Sequence, residues 1–385
     1  MKELRVILAG GGSGGHIYPL IAVAQELKKQ SESFNLPLDM RYFGGARAYA
    51  QEIVDNDIEF VPILSSKLRR YFSPMNLIDI PKFFLSLVQL MWKLFWFMPD
   101  VVFSKGGPGA FAVVLVARFY LIPVVIHESD SIPGLTNKLS GIFSKKVFLA
   151  FSSARDYFKN KDVEIVGNPV RNSLFEQASS LTMTDENQYI QARKGLGLNL
   201  ETPTILILGG SQGAERLNNF VLESLDILLD KYQILHQVGK RNFDSYKKEY
   251  DYISKNWSED MKNKYLPRPF FNTDMSDVLI ASDIVVTRAG SGTIFEIAAF
   301  GKPAILIPLP EAANDHQLEN ARFYSKTGAA VVIQQDNLLK SIFIEEINKL
   351  IQNKEMMAKM SEAAKVFYRP ESAQLIARHL LTYVS

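Results

Sequence analysis

The sequence predicts an α/β protein built from two doubly wound, Rossmann-like domains that face each other across a central cleft. Short apolar runs alternate with helical spacings along the 385 residues, a pattern typical of parallel strands covered by helices on both faces. The pattern occurs twice, and each half opens with a strand, a glycine-rich turn and a helix. The length also exceeds what one hydrophobic core usually supports.

The first domain is predicted at residues 1–167. Ligands of doubly wound sheets bind beyond the carboxyl ends of the strands, so the residues that follow each strand are the candidates for chemistry. The predicted strands are Arg5–Ala9, Met40–Phe43, Glu59–Ile63, Val101–Ser104, Val124–His127, Lys146–Ala150 and Glu164–Val166.

The second domain is predicted at residues 168–370, and the join lies near Gly167–Arg171. A helix over 371–385 is expected to pack back on the first domain. The predicted strands of the second domain are Thr204–Leu208, Gln233–Gln237, a weaker one near Tyr265, Ile284–Thr287, Ala304–Pro308 and Ala330–Ile333.

The first glycine turn, Gly10–His16, follows a strand and opens a helix with apolar residues at Leu20, Ala24 and Leu27. Glycines allow close approach of a ligand, and a helix N-terminus favours an anion. Three of the glycines fit the dinucleotide spacing, but the next strand runs into glycines instead of the acidic residue that such a site uses. The turn therefore indicates a phosphate- or sugar-facing loop and not an NAD site.

Composition limits the class of function. The net charge is +2, which argues against steering to nucleic acid. The chain has no cysteine, so disulfides, zinc–thiolate sites and thiol nucleophiles are excluded. A strand begins by Leu4 with no preceding signal-peptide pattern, so export is not expected.

One helical segment, Pro81–Pro99, is apolar nearly all round and contains Phe, Trp and Met. It is shorter than the ~20 apolar residues that a bilayer span needs. Either it is buried on both sides, or one face enters an anionic membrane surface. Two apolar stripes are present, and the sequence does not say which one faces out. They are Phe84, Leu87, Met91, Phe95 and Met98, and Phe83, Leu90, Leu94 and Phe97, with Lys67, Arg69 and Arg70 upstream.

Two loops of the second domain have the composition of a nucleotide diphosphate site. Gly209–Ala214 and Arg288–Thr293 each follow a strand and open a helix, and Arg288 adds a permanent charge. Glu296 lies one turn into the second of these helices, where it would accept from ribose hydroxyls or complement the helix dipole. Gln317 follows another strand end and suits sugar hydroxyls.

In the first domain, His16 and Asp130 are the candidate general bases, because each follows a predicted strand at the same edge of the sheet. A histidine titrates near neutral pH and suits this role, but the sequence does not decide between the two. Asp55-Asn56-Asp57 has the D-x-D pattern of metal-dependent transferases. Acidic residues are ordinary in turns, so we predict no metal site there.

Several motifs follow one another along the chain: Gly11–His16, Lys105–Gly109, His127-Glu128 with Pro133–Lys138, Gly167–Arg171, Gly209–Ala214 and Glu296–Ala299. In this order they resemble one family, the peptidoglycan N-acetylglucosaminyltransferases of the GT-B class. The resemblance implies the GT-B fold, inversion at the anomeric carbon, no metal or other cofactor, and a peripheral location on the cytoplasmic face of the cell membrane.

The resemblance also implies two substrates: UDP-N-acetylglucosamine (UDP-GlcNAc) and a polyprenyl-linked muramyl-pentapeptide lipid. The implied roles concern the phosphates, the ribose, the uracil, the donor sugar and the acceptor. The phosphates would lie near Ser211, Gln212, Arg171, Arg288, Gly292 and Thr293. The ribose would lie at Glu296, the uracil at Phe271 and Asn272, and the donor sugar at Gln317. The residues that would face the acceptor and leaving group are Ser13, Gly14, Gly15, His16 and Asp130.

Two other functions remain open. A UDP-GlcNAc 2-epimerase can share the two-domain architecture, but it needs no lipid acceptor and no apolar surface. A membrane-tethered nucleotide-sugar sensor would use the same loops for binding without turnover. Conversion of UDP-GlcNAc without an acceptor would indicate the epimerase, and tight binding without turnover would indicate the sensor.

Overall fold

The computed structural model describes residues 3–64, 76–171, 174, 178, 186–210, 213–271, 274–312 and 315–384. The chain divides into two compact units. The first unit is Met1–Asn172 together with Arg369–Ser385, and the second is Ser173–Tyr368. The first unit therefore extends beyond the boundary predicted at residue 167, and it includes Arg171.

The first unit is built on a parallel sheet with the strand order β3-β2-β1-β4-β5-β6-β7. Buried apolar residues fill both faces of β1, as expected of a central parallel strand. The strands are β1 Leu4–Gly10, β2 Leu38–Gly44, β3 Glu59–Pro62, β4 Val101–Gly106, β5 Val124–Glu128, β6 Lys146–Leu149 and β7 Asp162–Ile165.

Helices cover both faces of this sheet, and the sheet separates two apolar cores. The C-terminal helix Ser372–Leu381 enters the core beside α1 through Ile376 and Leu380, which are fully buried. The helices of the first unit are α1 Gly14–Ser33, α2 Ala50–Val54, α3 Asn76–Phe97, α4 Ala110–Phe119 and α5 Leu135–Phe143, with short 3-10 helices at Arg47–Tyr49 and Ser152–Phe158.

The second unit contains a parallel sheet with the order β10-β9-β8-β11-β12-β13. Its strands are β8 Thr204–Leu208, β9 Gln233–Gln237, β10 Tyr265–Arg268, β11 Ile284–Thr287, β12 Ala304–Leu306 and β13 Ala330–Val332. Its helices are Glu186–Gly195, Glu215–Leu222, Leu225–Leu228, Phe243–Ile253, Glu259–Asn263, Met275–Ala281, Ser291–Ala299, His316–Ser325, Lys340–Gln352 and Lys354–Phe367, with a 3-10 turn at Gln335–Asn337.

Each sheet has one position where the strand order reverses. In the first unit it lies between β1 and β4, and in the second between β8 and β11. Chain segments leave such a point toward opposite faces of the sheet and open a crevice at the carboxyl ends of the strands. The glycine loops predicted to bind ligand follow β1, β8 and β11, so they lie at these two points.

Helix α3 has one buried face and one exposed face. Leu90, Leu94 and Phe97 are buried in the core of the first unit. Phe83, from one predicted stripe, and Leu87, from the other, pack partly against the same core, so the buried face is the stripe that contains Phe83 together with Leu87. The exposed apolar side chains of the helix are Ile80, Phe84, Leu85, Val88, Met91, Trp92, Phe95 and Trp96. The alternative of a helix buried on both sides is wrong.

None of the helices in the described ranges is long and apolar enough to cross a membrane. Lys67, Arg69 and Arg70, the basic residues upstream of α3, lie outside the described residues.

Candidate active site

The first glycine turn places His16 in the first turn of α1. Strand β1 ends at Gly10 and α1 begins at Gly14, with Ser13 as an extended cap residue. The carbonyl of Ser13 accepts from the backbone amides of His16, at 3.0 Å, and Ile17, at 3.1 Å. Gly15 is exposed and His16 is half-buried, so this end of the helix presents both backbone and imidazole to a ligand.

The ring of His16 is oriented by one backbone acceptor. Its Nδ1 lies 3.3 Å from the carbonyl oxygen of Lys105. A carbonyl can only accept, so Nδ1 carries the proton and Nε2 of the neutral ring is the basic atom. Burial and then the charge of Lys105 lower the pKa of His16 below its ordinary value of 6.5, while Asp130 opposes the shift. His16 is therefore neutral at pH 7 and able to accept a proton.

The loop after β4 keeps the space beside Nε2 open. Gly107 has φ of +88°, and a methyl group there would lie 2.7 Å from Cα of Gly11 and 3.2 Å from Nε2 of His16. Any larger residue would collide with the first glycine turn as well as strain the backbone. The two loops at the reversal point of the first sheet thus meet at the imidazole.

A buried polar network lies behind this site. The ammonium of Lys105 donates to Nδ1 of His127 at 2.5 Å and to Oδ1 of Asn168 at 2.7 Å. Glu128 accepts from the Asp130 backbone amide at 2.8 Å and from Nδ2 of Asn137 at 2.9 Å. The residues of this network belong to motifs that were recognised in the sequence but had no predicted role. A lysine or a carboxylate at the end of a buried strand is the signal that could have identified them.

Asp130 and Arg171 both belong to the first unit. Asp130 is half-buried and close enough to His16 to influence its charge. The guanidinium of Arg171 stacks on Tyr18, with 4.5 Å between Cζ and the ring centroid. Tyr18 is two residues after His16 on α1, so Arg171 lies at the same end of the first sheet. The sequence had placed Arg171 in the second domain.

In the second unit, Arg288 is buried at the carboxyl end of β11. Its Nη1 donates to the backbone carbonyls of Ile307 at 3.1 Å and Pro308 at 3.4 Å. Its Nε and the hydroxyl of Ser291 are buried donors without a hydrogen-bond partner among the residues that the structure describes. Burial lowers the pKa of Arg288, yet a guanidinium stays protonated in proteins. A bound anion would satisfy these donors.

The helix Ser291–Ala299 begins directly after this arginine, with Gly290 as its cap residue. Gly292, Thr293 and Glu296 are half-buried on its first turns. The helix N-terminus and Arg288 together make this end of the second sheet favourable for a diphosphate.

Gln237, which the sequence analysis did not single out, connects two predicted binding segments. Its Nε2 donates to the carbonyl of Gly210 at 3.3 Å, and its Oε1 accepts from the backbone amide of Phe271 at 3.0 Å. The side chain is buried at the end of β9. It therefore fixes the glycine loop after β8 relative to the backbone predicted to recognise uracil.

Gln317 is held against a strand end. Its Oε1 accepts from the backbone amide of Leu309 at 3.0 Å, which places the side chain beside the segment that follows β12. The neighbouring ion pair between Arg216 and Glu311 is exposed, with 2.6 Å between the charged atoms.

Three predicted site residues, Ser211, Gln212 and Asn272, lie outside the described residues.

The D-x-D segment is a surface turn of the first unit. Asp57 pairs with Lys28 at 2.6 Å, and Asp55 accepts from Gln51 at 2.7 Å. The two carboxylates bind separate partners and do not converge. Within the described ranges, no group of three or more acidic or histidine side chains is arranged to hold a metal ion.

Comparison with solved structures shows the fold. The crystal structure of MurG from Acinetobacter baumannii matches with a TM-score of 0.71 and 24% identity, covering 98% of this chain and 99% of that one. A UDP-GlcNAc 2-epimerase from Neisseria meningitidis matches with a TM-score of 0.68 and 16% identity, covering 98% of this chain and 100% of that one. The two parallel-sheet units are those of the GT-B class.

Sequence comparison shows the family. The glycosyltransferase family 28 N-terminal domain matches residues 6–149, and the C-terminal domain of the same family matches residues 204–376. A curated relative from Legionella pneumophila strain Paris is 35% identical over 367 residues, 94% of this chain and 93% of its own length.

A curated relative from Treponema denticola is 32% identical over 396 aligned positions, which cover 98% of this chain and 97% of its own length. Both relatives are named UDP-N-acetylglucosamine–N-acetylmuramyl-(pentapeptide) pyrophosphoryl-undecaprenol N-acetylglucosamine transferase. With both domains of family 28 present and two relatives matched along nearly their whole length, the chain belongs to glycosyltransferase family 28, in the MurG family of N-acetylglucosamine transferases.

Proposed function

We propose that this protein transfers N-acetylglucosamine from UDP-GlcNAc to the C4 hydroxyl of the muramyl sugar of the polyprenyl-pyrophosphate-linked peptidoglycan precursor. The reaction converts lipid I to lipid II in cell-wall synthesis, with inversion at the anomeric carbon. The observation that carries the proposal is the oriented, neutral His16 at the reversal point of the first sheet, in a chain whose relatives are named for this transfer.

The chemical step needs a base on one side of the anomeric carbon and charge stabilisation on the other. Nε2 of His16 takes the proton of the acceptor hydroxyl as its oxygen forms a bond to the anomeric carbon. The bond to the diphosphate breaks, and UDP leaves with the electron pair. Arg288 and the N-terminus of the helix Ser291–Ala299 stabilise the negative charge that grows on UDP, the part that a metal ion has in other transferases.

The direct test is an assay of the purified protein with UDP-GlcNAc and a short-chain acceptor analogue, with and without EDTA. We expect a β-linked disaccharide product in both conditions. Lack of disaccharide overturns the proposal, and loss of activity with EDTA overturns its metal-independent form. An incubation without acceptor distinguishes the alternatives: formation of the 2-epimer indicates an epimerase, and tight binding without turnover on any acceptor indicates a sensor.

Variants of Glu296 and Gln317 test which part of UDP-GlcNAc, the ribose or the sugar, each side chain binds. Replacing Glu296 with alanine should weaken UDP and UDP-GlcNAc alike, because the ribose is common to both. A hydrogen bond to a charged group contributes roughly 1.5–3 kcal/mol, which is about tenfold or more in affinity. Gln317→Ala should weaken UDP-GlcNAc and leave UDP nearly unchanged. Calorimetric titrations with both ligands measure this, and equal effects of both variants on both ligands would contradict the assignment.

We also propose that the protein acts at the cytoplasmic face of the membrane and binds anionic lipid through the outer face of α3. Val88, Trp92 and Trp96 are each 67–68% exposed on that face. Phe119, the last residue of α4, is 67% exposed, and Leu121, just after that helix, is 76% exposed. Apolar area of this extent on one element is typical of an interaction surface. Tryptophan is well suited to the interfacial zone of a bilayer, which supports lipid as the occupant.

The double variant Trp92→Ser/Trp96→Ser should sediment less with anionic vesicles and retain its melting temperature. Burial of one large apolar side chain contributes roughly 1.5–3 kcal/mol, so loss of two should reduce vesicle binding by more than about tenfold. Turnover of a long-chain acceptor should fall more than that of a soluble one. Tyr252→Ser is the matched control, since Tyr252 is an aromatic residue of the second unit that is 82% exposed. Leu94→Ser, on the buried face, should instead destabilise the fold. Unchanged vesicle binding in the tryptophan variant would rule out this surface.

A further inference from the structure

Lys105 occupies an unusual position for a lysine. It is the second-to-last residue of β4 and is only 1% exposed. Burying an ammonium group is costly unless hydrogen bonds compensate for the lost water. The proposed transfer gives this side chain no contact with either substrate, so its presence requires a different explanation.

The ladder between β1 and β4 is irregular at this residue. Ala9 pairs with Ser104 and Gly10 pairs with Gly106, so Lys105 is an extra residue on β4. The pairing of β4 with β5 ends at Ser104. A bulge of this kind leaves the extra residue outside the ladder and redirects its groups. The Lys105 carbonyl is therefore available to Nδ1 of His16.

The side chain of the same residue extends into the interior and is held there. Its Nζ donates to His127 on β5 and to Asn168, which follows β7. His127 in turn donates from Nε2 to the carbonyl of Gly167 at 2.8 Å. The ammonium thus ties the bulge of β4 to two other segments of the first unit, and this fixes the position of the carbonyl.

We propose that Lys105 is a positioning residue for His16: its tethered bulge holds the carbonyl that keeps the proton on Nδ1 and leaves Nε2 as the base. The inference rests on the proposed function of His16. An apolar residue of similar length would fill the same space, but it would leave the bulge untethered and two buried acceptors, on His127 and Asn168, without a donor.

The charges around the site are consistent with this role. The charged groups facing the imidazole are Lys105 from β4 and Asp130 from the segment after β5. Burial lowers the pKa of Lys105, and the nearby carboxylates of Glu128 and Asp130 oppose that shift. Removing the ammonium takes away a positive charge that lowers the pKa of His16, so the pKa of the imidazole should rise in its absence.

The first test needs no substrate. Nitrogen-15 NMR of the full chain labelled in histidine reports which ring nitrogen carries the proton, and the spectrum of a His16→Gln variant assigns the signals. We expect His16 to be protonated at Nδ1 and unprotonated at Nε2 near pH 7. In Lys105→Met we expect a mixture of both tautomers. A wild-type ring protonated at Nε2 overturns the proposal, as does a Lys105→Met spectrum identical to wild type at His16.

The second test uses kinetics. Lys105→Met should lower kcat by about tenfold or more, because small displacements of a catalytic group are costly. KM for UDP-GlcNAc should change less than about twofold, since the predicted donor contacts other than Arg171 lie in the other unit. The acidic limb of the rate–pH profile should move to higher pH. An unchanged limb with a lowered melting temperature would show a structural role only and overturn the proposal.

Lys302→Met is the matched control for loss of a lysine held by protein acceptors. Lys302 in the second unit donates to the carbonyls of Ile280 at 3.1 Å and Ser282 at 2.8 Å, so its loss should lower stability without moving the acidic limb. A shift of the limb in this control as well would overturn the specific role of Lys105.

Absence of transfer by the wild-type protein would overturn the proposed function, whereas the NMR result decides the hydrogen-bond assignment separately.

Discussion

Replacing His16 with alanine is expected to lower kcat by about 100- to 10,000-fold, the usual contribution of a general base. The UDP-GlcNAc affinity should change little, because the predicted donor contacts other than Arg171 are in the second unit. Steady-state kinetics with a soluble acceptor and calorimetry with UDP-GlcNAc measure the two effects separately. A small loss of kcat would show that His16 is not the base.

The pH dependence sharpens this prediction. Burial and Lys105 lower the pKa of His16, so the wild-type rate should hold down to a pH below 6.5 and then fall as the ring gains a proton. His16→Ala should abolish that limb. Asp130→Asn should retain the limb and move it to lower pH, because Asp130 raises the pKa of His16. Loss of the limb in Asp130→Asn, with retention in His16→Ala, would identify Asp130 as the base instead.

Replacing Arg288 with methionine is expected to lower kcat by about 100- to 1,000-fold, the typical cost of removing one group that stabilises charge in the transition state. Arg288 precedes the helix Ser291–Ala299 by three residues, and charge on the departing UDP would develop at the N-terminus of that helix. Product formation in single-turnover experiments, with UDP-GlcNAc saturating, measures the chemical step.

Two controls separate this effect from damage to the fold. Arg288 also donates to the backbone of Ile307 and Pro308, so the melting temperature of each variant must be recorded. Arg288→Lys retains a positive charge with fewer donors and should recover part of the rate. Equal rates in the lysine and methionine variants would show that the charge of Arg288 does not act on the leaving group.

Much of the fold could be predicted from the sequence because parallel strands buried on both faces leave a strong pattern. Thr204–Leu208, Gln233–Gln237 and Ile284–Thr287 were predicted with the bounds that the structure shows. In the first unit the centres of the strands were predicted and the ends differed by at most two residues, as for β4, which ends at Gly106. Strand ends are set by pairing with neighbouring strands, and the neighbours are not visible in a linear pattern.

The candidate site was predicted only in part, since a loop can be recognised by composition while side-chain partners depend on tertiary packing. The glycine turn before His16 follows from its residues and from the strand and helix on either side. The contact between the His16 ring and the carbonyl of Lys105 cannot be predicted in this way, because 89 positions separate the two residues. The same holds for Gln237, which connects Gly210 with Phe271.

The sequence by itself determined the alternation of strands and helices, the glycine loops at their junctions and the apolar character of α3, because these depend on residues close together in the chain. The tertiary structure decided which face of α3 is buried, since that depends on where Leu90 and Leu94 meet the sheet. It also decided that Arg171 stacks on Tyr18 in the first unit. The bulge that turns Lys105 toward His16 arises from the mismatch between β4 and its neighbour, and a contact of that kind exists only once the strands have paired.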